Sequence, residues 1–149
     1  MKITFRNDVN IEAPIDKVWR IVSDFANYHK WCSLISEILP VKGTSDKIKP
    51  GAKFVRKFNY GFPFGISEEI ITVIQEAPRH YFAYKHGNIF IKVLHLVYLK
   101  EGPRGTYMVL ITVYRGYFTF LVLPLWFRLR HLQRKFLREL KQYCELKVA

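Results

Sequence analysis

The last third of the chain carries its most regular pattern of apolar positions. Six apolar or aromatic side chains recur there every three or four residues: Leu125, Leu129, Leu132, Phe136, Leu140 and Tyr143. At ~100° per residue they fall on one narrow stripe with basic residues opposite, which predicts a long amphipathic helix over residues 116–147. Because such a helix is not stable alone, we expect its stripe to pack against a sheet.

The rest of the chain alternates apolar and polar residues in short runs typical of β-strands. We predict helices over residues 15–24 and 25–30, and strands over residues 2–11, 38–42, 52–60, 66–75, 80–85, 89–100 and 106–115. Short connections favour antiparallel neighbours. The fold prediction is therefore a single α+β domain over residues 1–149. A curved antiparallel sheet of about seven strands wraps around the long C-terminal helix, with two short helices after the first strand.

Composition and charge narrow the possible classes of protein. Half of the 149 residues are hydrophobic and 16% are aromatic, which excludes a disordered chain and permits a lined cavity. The net charge of +12 predicts attraction to an anionic partner. A phospholipid surface, a nucleic acid and an acidic protein all fit that charge.

Cysteine and histidine spacing gives no metal or redox signature. Cys32 and Cys144 lie far apart and predict buried, reduced thiols. The histidines follow neither HxH nor HExxH spacing, so we expect no metal and no cofactor. The N-terminus lacks the apolar core of a signal peptide. The most apolar run, residues 117–127, is shorter than the ~20 residues needed to cross a bilayer, so we expect a cytoplasmic protein.

One block near the N-terminus resembles a known family. Residues 9–19 (VNIEAPIDKVW) lead into residues 24–28 (DFANY) and Trp31. Weaker matches follow at Gly51, residues 69–71, residues 77–79, Gly105, Thr106 and Pro124. The chain resembles the SRPBCC (START-like) superfamily, most closely its polyketide cyclase/dehydrase and lipid-transport branch. The resemblance implies a helix-grip fold with a cavity for an apolar ligand between sheet and long helix. It does not name the ligand, because this fold hosts binders, carriers, cyclases and regulators.

The predicted lining of that cavity combines carbon with a few polar groups. The expected ligand-binding residues are His95, Tyr84, Tyr98, Tyr107, Phe58, Leu125, Leu129, Leu132 and Phe136. The leucine stripe either covers a cavity or fills a solid core, and His95 is either a ligand contact or a core histidine. Arg56 is two residues from Phe58, so both side chains point to the same face of the strand. Arg56 therefore reaches either the cavity or solvent, and solvent is the favoured interpretation.

Catalytic signals are weak. No Ser/His/Asp or Cys/His arrangement is recognisable, and we predict no catalytic residue unless His95 moves a proton with a tyrosine. Glu68 and Glu69 alternate faces on a strand, so at most one of them points inward. This spacing argues against a hydrolase with paired carboxylates.

A basic block on the C-terminal helix suggests a second functional surface. Its members are the aromatic residues Trp126 and Phe127 followed by the cations Arg130, Arg134, Arg138 and Lys141. Aromatic residues beside arginines are typical of a peripheral contact with an anionic membrane. A solvated face and a nucleic-acid or ribosome contact are the alternatives, although the exposed aromatics and lysines do not alternate as a base-stacking platform requires.

These patterns leave three hypotheses for function. The leading one is a non-enzymatic binder or carrier of an apolar small molecule such as a lipid, an isoprenoid, a quinone or a polyketide-like compound. The second is a cyclase or aromatase that uses the same cavity. The third is a protein that contacts RNA or a ribosome through its basic surface.

Overall fold

The strands predicted from alternating apolar and polar residues form one antiparallel sheet. The computed structural model describes residues 1–62 and 64–146. Its strands are β1 (Lys2–Ile11), β2 (Ile35–Pro40), β3 (Lys53–Asn59), β4 (Ile66–Ala77), β5 (Tyr81–Gly87), β6 (Lys92–Gly102) and β7 (Gly105–Arg115). Their order across the sheet is β1-β7-β6-β5-β4-β3-β2. Every strand from β2 to β7 therefore lies beside its sequence neighbour, while β1 pairs with β7.

The helices lie against one face of this sheet. They are α1 (Ile15–Val22), a first 3₁₀ helix (Phe25–Lys30), a second 3₁₀ helix (Thr119–Leu125) and α2 (Trp126–Cys144). The strand number, the antiparallel pairing and the two short helices after β1 confirm the predicted α+β helix-grip architecture.

Two irregularities in strand pairing help the sheet to curve. The register shifts between Ile35 and Glu37 where β2 pairs with β3, and between Val73 and Gln75 where β4 pairs with β5. An extra residue on one strand bends that strand and increases its local twist. The sheet thereby bends around the helices on its concave face.

An aromatic cluster fills one end of the space beneath the sheet. The ring of Phe25, on the first 3₁₀ helix, meets Phe54 at 5.1 Å and Tyr84 at 5.7 Å between ring centroids. Both pairs are edge-to-face, a favourable arrangement for aromatic rings. A smaller core formed by Ile3, Phe5 and Val122 lies apart from this cluster. The sheet therefore has two packed regions rather than one continuous core.

The prediction of one continuous C-terminal helix is wrong at its start. A 3₁₀ helix occupies Thr119–Leu125, and the α-helix begins only at Trp126. Pro124 explains the break, because proline lacks the N–H that an α-helix needs and restricts the residue before it. The predicted helix end at residue 147 lies outside the described residues.

The apolar stripe on α2 is also displaced from the most buried face of the helix. The buried residues of α2 are Gln133, Leu137, Leu140 and Cys144, whereas Leu129, Leu132, Phe136 and Tyr143 are half-buried. The spacing of apolar residues does not identify this face, because the face contains a glutamine whose amide donates hydrogen bonds to the sheet. Cys32 and Cys144 are both buried thiols, as predicted.

Two strands begin three residues away from their predicted starts. The second strand begins at Ile35 instead of residue 38, and β6 begins at Lys92 instead of residue 89. The delay in β6 has a local cause, because the Asn88 side-chain oxygen accepts hydrogen bonds from the backbone N–H groups of Phe90 and Ile91. Those bonds hold a turn that extended backbone would break.

Truncating the buried face of α2 tests this packing. Leu140 is 0% exposed, so we expect Leu140→Ala to reduce the free energy of unfolding by about 2–5 kcal/mol. Leu39 is 52% exposed, and Leu39→Ala should change the free energy of unfolding by about 0.5 kcal/mol or less. Urea unfolding followed by circular dichroism measures both values. Equal effects of the two substitutions would contradict the assigned helix face.

Candidate functional site

A cavity of about 460 Å³ lies between the C-terminal helix and the inner face of the sheet. Its helix side is mostly carbon, from Leu125, Leu129, Leu132 and Phe136, and also includes Arg128 and Gln133. Its sheet side combines carbon, from Phe58, Val93 and Leu110 among others, with polar side chains from five successive strands: Arg56, Glu69, His86, His95 and Thr112. A ligand in this space would contact an apolar wall and a hydrogen-bonding wall at the same time.

Strand register brings the polar side chains together. Arg56 on β3 lies directly opposite Glu69 on β4. On the other side, His95 on β6 lies opposite Tyr84 on β5 and Thr112 on β7. Directly opposite residues on an antiparallel pair point to the same face, so all these side chains enter the cavity.

The centre of the polar wall is a buried ion pair. Arg56 is only 5% exposed, and its Nη2 atom lies 3.0 Å from Oε1 of Glu69. The second carboxylate oxygen of Glu69 accepts a hydrogen bond of 2.7 Å from the Tyr60 hydroxyl. It also lies 3.0 Å from Nδ1 of His86. Each partner compensates part of the desolvation of two charges taken out of water.

Aromatic rings hold the Arg56 side chain from two sides. Its guanidinium carbon lies 4.9 Å from the centroid of the Phe58 ring and 6.0 Å from that of Tyr84. Both distances suit cation–π attraction. Nε of Arg56 has no hydrogen-bond partner among the described residues. That atom is buried, while other parts of the Arg56 side chain line the cavity.

A chain of hydrogen bonds continues from His86 across the sheet. Nε2 of His86 lies 3.0 Å from Nε2 of His95, whose Nδ1 lies 3.1 Å from the Thr112 hydroxyl. The same hydroxyl accepts a bond of 3.0 Å from the Gln133 amide on α2. The Asn7 amide donates in turn to the side-chain oxygen of Gln133. The chain therefore links the sheet interior to β1 through the helix.

The electrostatics of this chain favour neutral histidines beside a carboxylate. Burial raises the pKa of Glu69, but the hydrogen bond from His86 and the charge of Arg56 together lower it to about 2. Burial lowers the pKa of His86 despite its bond to Glu69. Burial, His86 and Arg56 lower the pKa of His95 well below the usual histidine value. Both rings are therefore uncharged at neutral pH.

Neutral rings fix the direction of every hydrogen bond in the chain. His86 must donate its Nδ1–H to the Glu69 carboxylate, so its Nε2 accepts from the Nε2–H of His95. His95 then accepts at Nδ1 from the Thr112 hydroxyl, which accepts from Gln133. All donors point towards Glu69. Such a chain is polarised along its length, so its hydrogen bonds strengthen one another.

The family model of polyketide cyclase / dehydrase and lipid transport matches residues 2–145. The chain belongs to this family. Among curated protein sequences, none matches it at a significant level. The family is associated with hydrophobic small molecules, which agrees with the carbon wall of the cavity.

Solved structures share the fold of this family member. Protein MLL2253 from Mesorhizobium loti is 14% identical with a TM-score of 0.72, covering 99% of this chain and 100% of its own. KanY is 18% identical with a TM-score of 0.75, covering 98% and 99%. The di-domain ARO/CYC BexL, from the BE-7585A biosynthetic pathway, is 15% identical with a TM-score of 0.76 over 99% of this chain and 51% of BexL. Identities this low support the shared fold alone.

The structure brings most of the predicted lining residues together. Seven of them surround the cavity: His95, Tyr84, Phe58, Leu125, Leu129, Leu132 and Phe136. Tyr98 and Tyr107 do not line it. Side chains alternate between the two faces of a strand, and each tyrosine is an odd number of residues from an inward side chain, His95 on β6 or Thr112 on β7. Both tyrosines therefore point to the outer face of the sheet. The Tyr107 hydroxyl donates to Asp8 outside the sheet. Placing these two tyrosines in the cavity was wrong.

The favoured interpretation of Arg56 as a solvent-exposed residue was also wrong. Strand parity pointed Arg56 inward with Phe58, but a charged side chain is rarely buried without a partner. The missing information was the register that places Glu69 opposite it. Glu68, by contrast, is 66% exposed, so only one of the two adjacent glutamates points inward, as predicted.

Sequence reasoning missed several polar members of the wall. These are Tyr60, Glu69, His86, Thr112 and Gln133. His86 could have been predicted, because it is two residues from Tyr84 and so points to the same face of the strand. Gln133 carried none, since a lone glutamine on a helix is usually solvated.

The basic block on α2 is not one uniform exposed surface. Trp126 is half-buried, with its ring centroid 4.5 Å from that of Phe5, so its assignment to an exposed surface was wrong. Phe127 and Arg138 are exposed. Arg134 donates to Asn7 on β1. The remaining members, Arg130 and Lys141, are half-buried, and Lys141 forms an ion pair with Glu145.

Within residues 1–62 and 64–146, no three or more His, Cys, Asp or Glu side chains group in a way that could hold a metal ion. In the same part of the chain, no helix is long and apolar enough to cross a membrane.

Removing the Glu69 charge tests the buried ion pair. We expect Glu69→Gln to lower the free energy of unfolding by about 3–5 kcal/mol at neutral pH, because Arg56 is left buried without a counter-charge. The folded-state pKa of Glu69 lies below its ordinary value of 4.5. Its stabilising effect is therefore present above pH 4.5 and lost as the pH falls towards 2. The difference between wild type and variant should shrink over the same interval.

Glu68→Gln provides the matched control for this prediction. It removes the same charge one residue away on the same strand, from an exposed side chain 3.8 Å from Lys57. Its effect on unfolding should be about 1 kcal/mol or less. Chemical denaturation over a pH series measures all three proteins. Equal sensitivity of the two variants would contradict the assigned role of Glu69.

Proposed function

We propose that the protein binds and carries an apolar small molecule that bears one oxygen-containing polar group. The observation that carries this proposal is a cavity whose helix side is mostly carbon and whose sheet side presents a group of polar side chains among apolar ones. Burial of ligand carbon against Leu129, Leu132 and Phe136 supplies affinity. The polar wall fixes the orientation of the ligand.

The size of the cavity supports a ligand of modest length. Small-molecule sites typically enclose about 300–1,000 Å³, and the volume here, about 460 Å³, lies in that range. A lipid, an isoprenoid, a quinone or a polyketide-like compound each contains the required carbon. A long acyl or isoprenoid chain would extend past the cavity towards the loops around Phe64 and Asn88.

The polar side chains on the sheet select among polar groups of the ligand. The Arg56 guanidinium is a charged donor on a side chain that lines the cavity, so it suits a carbonyl, quinone or phenolic oxygen. A ligand without such an oxygen would cover these polar side chains with carbon alone, which is unfavourable. Within the proposed ligand classes, the arrangement therefore favours oxygenated members over plain hydrocarbons.

Filling the cavity tests the carrier proposal. We expect Leu132→Trp to weaken binding of a hydrophobic fluorescent probe by about tenfold or more, because the indole occupies the space of the ligand. His131→Trp adds the same side chain at the next, exposed position and should leave probe affinity unchanged. Native mass spectrometry and organic extraction of purified wild type should yield a bound compound. Absence of any ligand, with no probe binding, would overturn the proposal.

The hydrogen-bond chain supports an enzyme as the second candidate. A cyclase or aromatase would fold a flexible poly-carbonyl substrate in the cavity and move protons between its carbons and oxygens. His95 lines the cavity and is connected through His86 to the Glu69 carboxylate. His95 is neutral, which is the protonation state that a proton acceptor requires.

Replacing His95 separates the two candidates. For an enzyme, we expect His95→Ala to abolish conversion of a poly-β-carbonyl substrate, followed by absorbance of the aromatic product, while probe affinity changes little. For a carrier, no conversion occurs in wild type or variant. His80→Ala replaces an exposed histidine outside the cavity and controls for general effects. Equal conversion by wild type and His95→Ala would argue against a catalytic role.

A further inference from the structure

Exposed apolar side chains are concentrated at one end of the molecule. Of the sixteen large hydrophobic residues exposed in the described structure, eleven belong to three neighbouring segments. We call these eleven the mouth collar: Phe62, Phe64, Ile66, Ile89, Phe90, Tyr117, Phe118, Phe120, Leu121, Leu123 and Phe127. Folded monomers rarely expose contiguous apolar patches of this kind unless the patch has a function.

Direct contacts connect the three segments of the mouth collar. The β5–β6 turn meets the second 3₁₀ helix where the rings of Phe90 and Phe118 lie 5.2 Å apart, and the backbone N–H of Phe118 donates to Phe90. The β3–β4 turn meets the start of α2 where Nε of Arg128 donates to the Tyr60 carbonyl at 3.1 Å. The collar is therefore one surface built from three loops.

The mouth collar surrounds the end of the cavity. One collar residue, Phe64, also lines the cavity, as do Asn88 and Ile91 in the β5–β6 turn. On the helix side the cavity ends at Leu125 and Arg128, which flank Phe127. A ligand leaving the cavity at this end would pass between the collar side chains.

A row of unpaired cations borders the mouth collar. Strand register places Lys2 opposite Arg115 and Arg115 opposite Lys92, at the ends of β1, β7 and β6 next to the collar. Like charges in directly opposite positions destabilise a sheet. None of the three forms an ion pair with a carboxylate in residues 1–62 and 64–146. Residues 102–138 also contain no Asp or Glu.

We propose that the mouth collar docks on an anionic phospholipid bilayer. Its aromatic and aliphatic side chains enter the boundary between headgroups and acyl chains, and Lys2, Lys92, Arg115 and Arg128 lie at the level of the lipid phosphates. The cavity then opens directly onto the membrane. This inference rests on the collar and its cations and stands apart from the identity of the cavity ligand.

Charge complementarity favours a bilayer over a second copy of the chain. Two collars facing each other would bring the same cations together without a carboxylate to neutralise them, which opposes association. An anionic leaflet neutralises them instead. Arg134 and Arg138 of the basic block stand away from the collar, because they lie about 10 and 16 Å along the helix axis from Phe127 at 1.5 Å per residue.

Vesicle flotation of the full chain tests the docking surface. We expect wild type to bind vesicles of phosphatidylcholine containing about one quarter phosphatidylglycerol, and to bind pure phosphatidylcholine far more weakly. The double variant Phe62→Ser and Phe127→Ser should bind the anionic vesicles at least about tenfold more weakly. These two side chains are 89% and 85% exposed, so the thermal unfolding midpoint should not change. Leu39→Ser, an exposed leucine outside the collar, is the matched control.

Charge variants distinguish the collar from the basic face of α2. Lys92→Gln with Arg115→Gln should weaken anionic vesicle binding by about fivefold for each charge removed. Arg134→Gln with Arg138→Gln removes the same charge from the basic face and should have little effect. An equal loss in both pairs, or wild-type binding by the Phe62 and Phe127 variant, would overturn the proposal. So would absence of vesicle binding, or a dimer in sedimentation that this variant dissociates.

Discussion

A buried arginine without a counter-charge is very unfavourable, and this constraint organises the interior of the protein. Arg56 and Glu69 face each other on adjacent strands, and their pairing permits both to stay charged in the cavity wall. Tyr60 and His86 occupy the remaining positions on the carboxylate. The whole polar wall, from β3 to α2, therefore follows from one ion pair and the bonds needed to satisfy it.

That polar wall also explains why space remains beneath the sheet. Aromatic rings pack solidly around Phe25 at one end, and Phe5 packs with Ile3 and Val122 at the other. Between them the apolar side chains of α2 face a sheet surface on which polar groups, such as His95 and Thr112, stand among carbon. Hydrogen bonding orients those polar groups along the sheet, so they do not fill the volume in front of the helix.

The cavity and the mouth collar make the two ends of the molecule different. One end of the sheet is closed by α1 and the first 3₁₀ helix, whereas the other carries exposed aromatics such as Phe62 and Tyr117. The cations beside the collar add an electrostatic preference for an anionic surface. In the proposed arrangement a carried molecule moves between an apolar cavity and an apolar membrane without crossing water, which lowers the free-energy barrier to transfer.

The sequence by itself determined the seven strands, the helix stripe and the family, because these depend on local periodicity and short connections. It also placed His95, Tyr84 and Leu129 around one space. Spacing within β6 already sets Tyr98 on the face opposite His95. Tertiary structure alone decided that Gln133 is buried and that Arg56 has a partner. Those outcomes depend on register between strands and on which face of α2 meets the sheet. Neither quantity is encoded in the spacing of residues within one element, since both arise from contacts between residues distant in the chain.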